Sequence, residues 1–175
     1  LPFLMRAVCV ALNDFPDLNG QVNDAERSFV RRAAKHIGIA VAADRGLTVP
    51  VVRHADRRSL KSLAAEVRRL ADAVRAGTVA PAELGGSTFT ITSLGKEGGL
   101  LATPIINHPE VAIMGVHRLQ KRPVVRDDDE IVVRRMMNLS LSFDHRWVDG
   151  HVGARFTYRV IELLETPDRL VLEMG

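Results

Sequence analysis

Apolar residues in this chain recur at two different periods. Leu1, Leu4, Met5, Val8, Leu12 and Phe15 return at helical spacing, with Pro2 suited to a first turn. The helix they predict ends near Phe15-Pro16, because a residue before proline avoids the helical region. Asp17-Leu18-Asn19-Gly20 predicts a turn, and residues 21–35 are polar and too weakly periodic to assign. From residue 36 to 43 the alternation of Ile37, Ile39 and Val41 with smaller residues predicts a strand. Asp44-Arg45-Gly46 predicts a tight turn into residues 47–52, where Pro50 marks an edge, a bulge or a strand end.

Ser59 is placed to cap an amphipathic helix. Its apolar stripe is Leu60, Leu63, Ala64, Val67, Leu70, Ala71 and Val74, with Gly77 as a stop. Arg68, Arg69 and Asp72 form its solvated face. Residues 88–94 predict another strand, followed by the glycine-bearing loop at 95–99. The apolar run 111–116 reads as a strand buried on both faces. Val124-Val125 and Ile131-Val132-Val133 flank the acidic tip of a hairpin. Met137, Leu139, Leu141 and Phe143 alternate with Asn138, Ser140 and Ser142, which is the period of a strand. Val152, Phe156, Val160, Leu163 and Leu164 then mark a final helix, with Pro167 beyond it and a short apolar tail. Strands and helices mix without the strict alternation of a doubly wound fold. The expectation is an α/β two-layer sandwich with a mixed β-sheet.

A length of 175 residues suits one well-buried domain. Its 46% hydrophobic and 26% charged content is ordinary for a soluble globular protein. The apolar stretches are too short to span a bilayer, and residues 1–5 lack the features of a signal peptide, so no membrane partner is expected. The single cysteine, Cys9, forms neither an internal disulfide nor a zinc site, which suits a reducing, intracellular setting and a core position. The net charge is +3, but basic residues are dispersed, aromatics make up 5%, and no nucleic-acid motif appears. The acidic tip Asp127-Asp128-Asp129-Glu130 is solvated rather than convergent, so no metal site is expected there.

The candidate chemistry lies in Asp144-His145-Arg146-Trp147-Val148-Asp149-Gly150, just after the last alternating strand. A histidine held on a turn by a rigid element is a common way to present a catalytic side chain. An imidazole with an ordinary pKa near 6.5 can take a proton from a thiol or an alcohol at neutral pH. Asp-Gly is also a common turn signal, so spacing alone leaves a structural role for His145 open.

This run resembles the D-H-R-x-x-D-G signature of the dihydrolipoamide acyltransferases, the acyltransferase (E2) components of 2-oxo acid dehydrogenase complexes. Four further motifs carry the same resemblance in order along the chain. Leu1-Pro2-Phe3-Leu4 through Phe15-Pro16-Asp17-Leu18-Asn19 is similar to the family's first helix and F-P-x-L-N turn. His36-Ile37-Gly38-Ile39-Ala40-Val41-Ala42 with Arg45-Gly46-Leu47-Thr48-Val49-Pro50-Val51 is similar to its H-I-G-I-A-V-A and R-G-L-x-V-P-V strands. Gly86-Ser87-Thr88-Phe89-Thr90-Ile91-Thr92-Ser93-Leu94-Gly95 resembles the G-x-T-F-T strand, and Pro104 through Ile113 the P-E-x-A-I segment.

The resemblance implies a chloramphenicol acetyltransferase-like fold and acyl transfer between two thiols, those of coenzyme A and of dihydrolipoyl-lysine. By the same resemblance, His145 is the general base and Thr92 donates to the oxyanion, a departure from the serine that many members carry. Asp149 supports the turn by ionic and hydrogen-bond contacts, and Asp144 and Arg146 pin it. Ser93, Lys96 and His117 lie along the coenzyme A path, although a plain surface role stays open for Lys96 and His117. No G-x-S-x-G elbow and no P-loop ending is present.

Further expectations follow from the resemblance. The active site is shared around a threefold axis, and homotrimers build a 24- or 60-subunit core. The chain begins inside the family pattern, so residues 1–175 read as a catalytic domain lacking its N-terminal segment, with the lipoyl and subunit-binding domains absent. Partners are the E1 dehydrogenase and the E3 dihydrolipoamide dehydrogenase, reached through those absent domains. The location is the cytoplasm of a bacterium, or the mitochondrial matrix of a eukaryote. The pattern is most like branched-chain members, with succinyl and acetyl as the other acyl groups. The alternatives are a non-catalytic structural core of such a complex and a free-standing coenzyme A-dependent acetyltransferase of small alcohols.

Overall fold

The computed structural model describes residues 1–43, 46–93, 95 and 98–174. The first helix, α1 (Pro2–Asp14), is buried at every position from Leu4 to Leu12. The sequence suggested one apolar face, but a helix enclosed on all sides needs small or apolar residues all round. Ala7, Cys9 and Ala11 supply them between the larger side chains. Burial pushes the Cys9 thiol up to about 12, so it is packing rather than chemistry.

The polar stretch that resisted assignment forms a hairpin, β1 (Gly20–Asn23) and β2 (Ser28–Arg31), in antiparallel register. The predicted strand at 36–43 divides into β3 (Ile37–Ile39) and β4 (Val41–Ala43). Only β3 joins the main sheet, and β4 leaves it to pair with β5 (Gly46–Thr48). Pro50 separates β5 from β6 (Val51–Val52), the edge strand of the main sheet. A proline lacks the N–H of a ladder residue, and its carbonyl here accepts from Ile39 N at 2.9 Å. The turn residues Asp44 and Arg45 lie outside the described residues.

Helix α2 (Leu60–Arg75) starts as expected, with the Ser59 side chain accepting from Ser62 N at 3.2 Å. Its Leu63, Leu70 and Val74 are buried, whereas Ala64 is exposed. The central strands are β7 (Phe89–Ser93) and β8 (Ala112–Val116). A separate hairpin, β9 (Gln120–Val125) and β10 (Ile131–Met136), carries the acidic tip. The last strand is β11 (Leu139–Phe143), followed by α3 (Gly150–Glu165). The apolar tail forms a short helix, α4 (Pro167–Glu173).

The main sheet has the order β11-β8-β7-β3-β6. Its inner pairs β3–β7 and β7–β8 are parallel, and its outer pairs are antiparallel. This is the mixed sheet expected of a two-layer α/β sandwich. Phe156 of α3 packs on Phe89 of β7 at 5.6 Å and on Phe15 at 6.1 Å between ring centroids.

Candidate active site

Register puts one row of side chains across three strands. Thr92 of β7 pairs with Gly115 of β8, which pairs with Ser140 of β11. Paired residues share a sheet face, and so does His117, two positions beyond Gly115. His117 is buried and its Nε2 lies 2.9 Å from Ser140 Oγ. It is therefore not the surface residue that the sequence left open. A Cβ on Gly115 would stand 2.5 Å from Ser140 Oγ and 3.4 Å from His117 Nε2.

The bare backbone of Gly115 thus forms the floor of a cleft of about 170 Å³. Thr92, Ser93 and His117 line it together with Ala102, Pro104 and Val116. Three of the residues singled out in the sequence are brought together here. Thr92 is half-buried, and among the described residues its hydroxyl has no hydrogen-bond partner. Ser93 is exposed, and its Oγ accepts from Gly95 N at 3.2 Å. Lys96 lies outside the described residues.

His145 sits on the turn between β11 and α3. The Asp144 carbonyl accepts from Trp147 N at 3.0 Å and from Val148 N at 3.1 Å, which closes the turn. Arg146 grips the Asp144 carboxylate through Nε at 3.0 Å and Nη2 at 2.6 Å. That grip holds the Asp144 carboxyl below its ordinary range. The imidazole is exposed, with the Phe143 ring 5.7 Å away. Asp144 and Arg146 therefore pin the turn as expected. Asp149 differs, since among the described residues its side chain makes neither an ion pair nor a hydrogen bond. It is the N-cap residue of α3 without a side-chain cap. Its negative charge there suits the positive end of the helix dipole.

Thr92 and His145 are not neighbours within the chain. Thr92 is level with Ser140, whereas Phe143 pairs with Ala112 at the other end of β8. A rise of about 3.3 Å per residue and a strand spacing of about 4.8 Å put Phe143 roughly 14 Å from Thr92, with His145 beyond it. Within one chain the two side chains therefore do not meet at hydrogen-bonding distance around one point.

A buried polar cluster lies farther along the same sheet face, since Thr90 stands two positions before Thr92 on β7. Ser87 donates to Glu110 Oε1, as do Thr90 at 2.8 Å and Asn107 at 2.9 Å. Glu110 Oε2 is buried and without a partner among the described residues. Burial raises the Glu110 pKa above its ordinary 4.5, against the pull of those three donors. Sequence reasoning missed Gly115 and Ser140 as neighbours of the cleft. Only pairing register could have brought them to it, and register is not written in the local pattern. Among the described residues, no group of three or more His, Cys, Asp or Glu is placed to hold a metal.

A mixed five-stranded sheet backed by helices, with a histidine turn at one end and a hydroxyl cleft at the other, places the chain in a fold class. It superposes on a chloramphenicol acetyltransferase with a TM-score of 0.60 at 12% identity, covering 93% of this chain and 76% of that one. That likeness shows the fold alone. The chain belongs to the 2-oxoacid dehydrogenases acyltransferase (catalytic domain) family, which matches residues 1–172. It is 55% identical over 173 residues to the lipoamide acyltransferase component of the branched-chain alpha-keto acid dehydrogenase complex of Pseudomonas aeruginosa, covering 99% of this chain. It is 43% identical to the dihydrolipoyllysine-residue acetyltransferase component of the Staphylococcus aureus pyruvate dehydrogenase complex, again over 99% of the chain. The chain spans about 40% of the length of each of these curated relatives. Among solved structures it resembles the dihydrolipoamide acetyltransferase of Azotobacter vinelandii, with a TM-score of 0.92 at 40% identity over 98% of this chain and 70% of that one. A serine, a histidine and an asparagine were examined there for their role in the catalytic mechanism. The cubic core of a pyruvate dehydrogenase multienzyme complex is equally similar, with a TM-score of 0.92 at 41% identity over the same shares.

Proposed function

We propose that this domain transfers an acyl group between coenzyme A and the dihydrolipoyl group of a lipoyl-lysine, within a 2-oxo acid dehydrogenase complex, and that its preferred acyl group is branched-chain. The observation that carries the mechanism is the separation of two uncommitted groups, the His145 imidazole and the Thr92 hydroxyl, to opposite ends of one sheet. A thiol has an ordinary pKa near 8.5, so a base must take its proton as sulfur attacks the thioester. His145 is that base. The attack forms a carbon–sulfur bond and leaves negative charge on the carbonyl oxygen, where the Thr92 hydroxyl donates. Collapse breaks the original carbon–sulfur bond, and the departing sulfur takes back the proton from His145. The nucleophile arrives with the substrate, so the protein needs none of its own.

Both substrates fit what the chain offers. The cleft over Gly115 is narrow and lined by Ala102, Pro104 and Val116, which suits the thin apolar arm that bears a thiol. Ser93 and His117 flank that arm, and Lys96, three residues after Ser93 in the sequence, is a further contact on this reading. Each site then takes His145 from one subunit and Thr92 from the next, in a homotrimer. Surface apolarity supports assembly: Val125, Ile131 and Val133 of the two-stranded β9–β10 hairpin are 63–74% exposed, and such a face invites a partner. The similar cubic core supports trimers joined into a 24-subunit cage, with a 60-subunit cage as the other closed arrangement. Partners in that complex, the E1 dehydrogenase and the E3 dihydrolipoamide dehydrogenase, follow from the same reading.

The test compares turnover of isobutyryl-, succinyl- and acetyl-coenzyme A with dihydrolipoamide. Isobutyryl transfer is expected to have the highest kcat/KM. A higher value for acetyl or succinyl would overturn the specificity, and no transfer from any of them would overturn the activity.

A further inference from the structure

The turn that carries His145 has a buried side and an exposed side. Val148 anchors the buried side in the core at 2% exposure. The exposed side is held from far away in sequence. Arg146, while gripping Asp144, also reaches Asp24 Oδ1 through Nη1 at 3.1 Å. The other Asp24 oxygen lies 3.1 Å from His108 Nε2. Arg146, and after it His108, holds the Asp24 carboxyl below its ordinary range. The next residue, Trp147, stacks on Phe29 with ring centroids 5.4 Å apart and planes 22° apart.

Asp24 and Phe29 both belong to the β1–β2 hairpin, one at its tip and one on its second strand. The hairpin is in turn tied to the segment beneath the turn. Val22 N donates to Pro109 O at 2.8 Å, Val111 N to Gly20 O at 3.2 Å, and Asp144 N to Val111 O at 2.8 Å. The two residues that follow His145 are thus each clamped to one hairpin. Among the described residues the imidazole itself has no hydrogen bond, so its placement is inherited from its backbone.

We infer that the β1–β2 hairpin is a brace for the catalytic turn, with Asp24 acting through Arg146 as a positioning residue for His145. The inference rests on the reading of His145 as the base. The position of a general base matters on a scale of tenths of an ångström, and small misplacement costs rate far more than it costs stability. An exposed ion pair contributes little to folding, which makes the two roles separable.

The experiment uses the assembled, full-length protein and the transfer of acyl groups to dihydrolipoamide. Asp24→Ala is expected to lower kcat about tenfold, with KM for coenzyme A within about twofold and an unchanged unfolding midpoint. Asp24→Glu, which restores the charge, is expected to recover most of that loss. In an Arg146→Ala background the same Asp24→Ala change is expected to cost less than about twofold, since coupled residues are non-additive. Turnover of Asp24→Ala within about twofold of the parent overturns the inference, as does an undiminished loss in the Arg146→Ala background. A fall in kcat matched by a collapse of the unfolding midpoint also overturns it, because that is a structural role. His145→Ala is measured beside these. Near-parent turnover there removes the underlying reading and the inference with it, whereas an inactive His145→Ala beside a normal Asp24→Ala sinks the inference alone.

Discussion

Gly115 shows how much of the site depends on one missing side chain. Its hydrogen leaves the space into which Ser140 Oγ and His117 Nε2 converge. Gly115→Ala is therefore expected to raise KM for coenzyme A and to cost about 1–3 kcal/mol of stability through overpacking, checked by kinetics and denaturant unfolding together. At Thr92 the proposed role rests on the hydroxyl. Thr92→Val keeps the shape and is expected to lower kcat about 10²–10³-fold, as for a lost oxyanion donor, whereas Thr92→Ser stays active. Equal damage from the two changes would show that the hydroxyl is not what matters. Glu110 carries a pH signature. Its pKa is raised in the fold by burial, so the stability it contributes is complete below 4.5 and is lost as pH rises through the folded value. Glu110→Gln stays neutral, so its melting temperature relative to the parent is expected to climb from acid to neutral pH, and a flat difference would contradict this. His145 stands out in the sequence on its turn, whereas Thr92 and His117 are named only through the resemblance, since a threonine in a strand and a histidine at a strand end carry no signal of their own. The sequence did not name Gly115 or Ser140, because their role comes from facing something across a ladder, nor Glu110, whose partners Ser87, Thr90 and Asn107 meet it only in the fold.

Elements were legible where they bury a stripe and obscure where their partner is distant. Helix α2 follows from its cap and its period of apolar residues, and β11 from its alternation. The β1–β2 hairpin escaped because its strands carry little apolar alternation and lean on Pro109, Val111, Trp147 and the turn. The split between β3 and β4 escaped because one alternating run serves two sheets. The contact between α3 and β11 is where element packing reaches the chemistry. A Cβ on Gly153 would lie 2.6 Å from Cε1 of Phe143, whose ring stands 5.7 Å from that of His145. Glycine to alanine within a helix ordinarily gains about 0.5–1 kcal/mol. Gly153→Ala is expected to reverse that sign, losing about 1–3 kcal/mol to overpacking, and to slow turnover as Phe143 shifts. A stabilised variant with parent turnover would show that the contact yields freely.

At the scale of the whole molecule, distance separates the two candidate groups. Thr92 and His145 of one chain lie at opposite ends of the central sheet by its register, too far apart to serve the thioester of the proposed reaction together. In the proposed cyclic trimer a single interface resolves this, with each subunit offering its histidine to one neighbour and its hydroxyl to the other. Two long substrate arms can then enter a channel between subunits from opposite sides and meet at the thioester. The sharing is tested by mixing two inactive variants, His145→Ala and Thr92→Val, after dissociation and reassembly. Each mixed trimer contains one interface in which an intact His145 faces an intact Thr92. Random mixing in equal amounts makes three quarters of the trimers mixed, with one working site in three, so about a quarter of parent activity is expected to return. If the site lay within one chain, every chain in the mixture would lack one of its two groups and nothing would return. Confirmed mixed trimers without recovered activity would therefore refute the shared site.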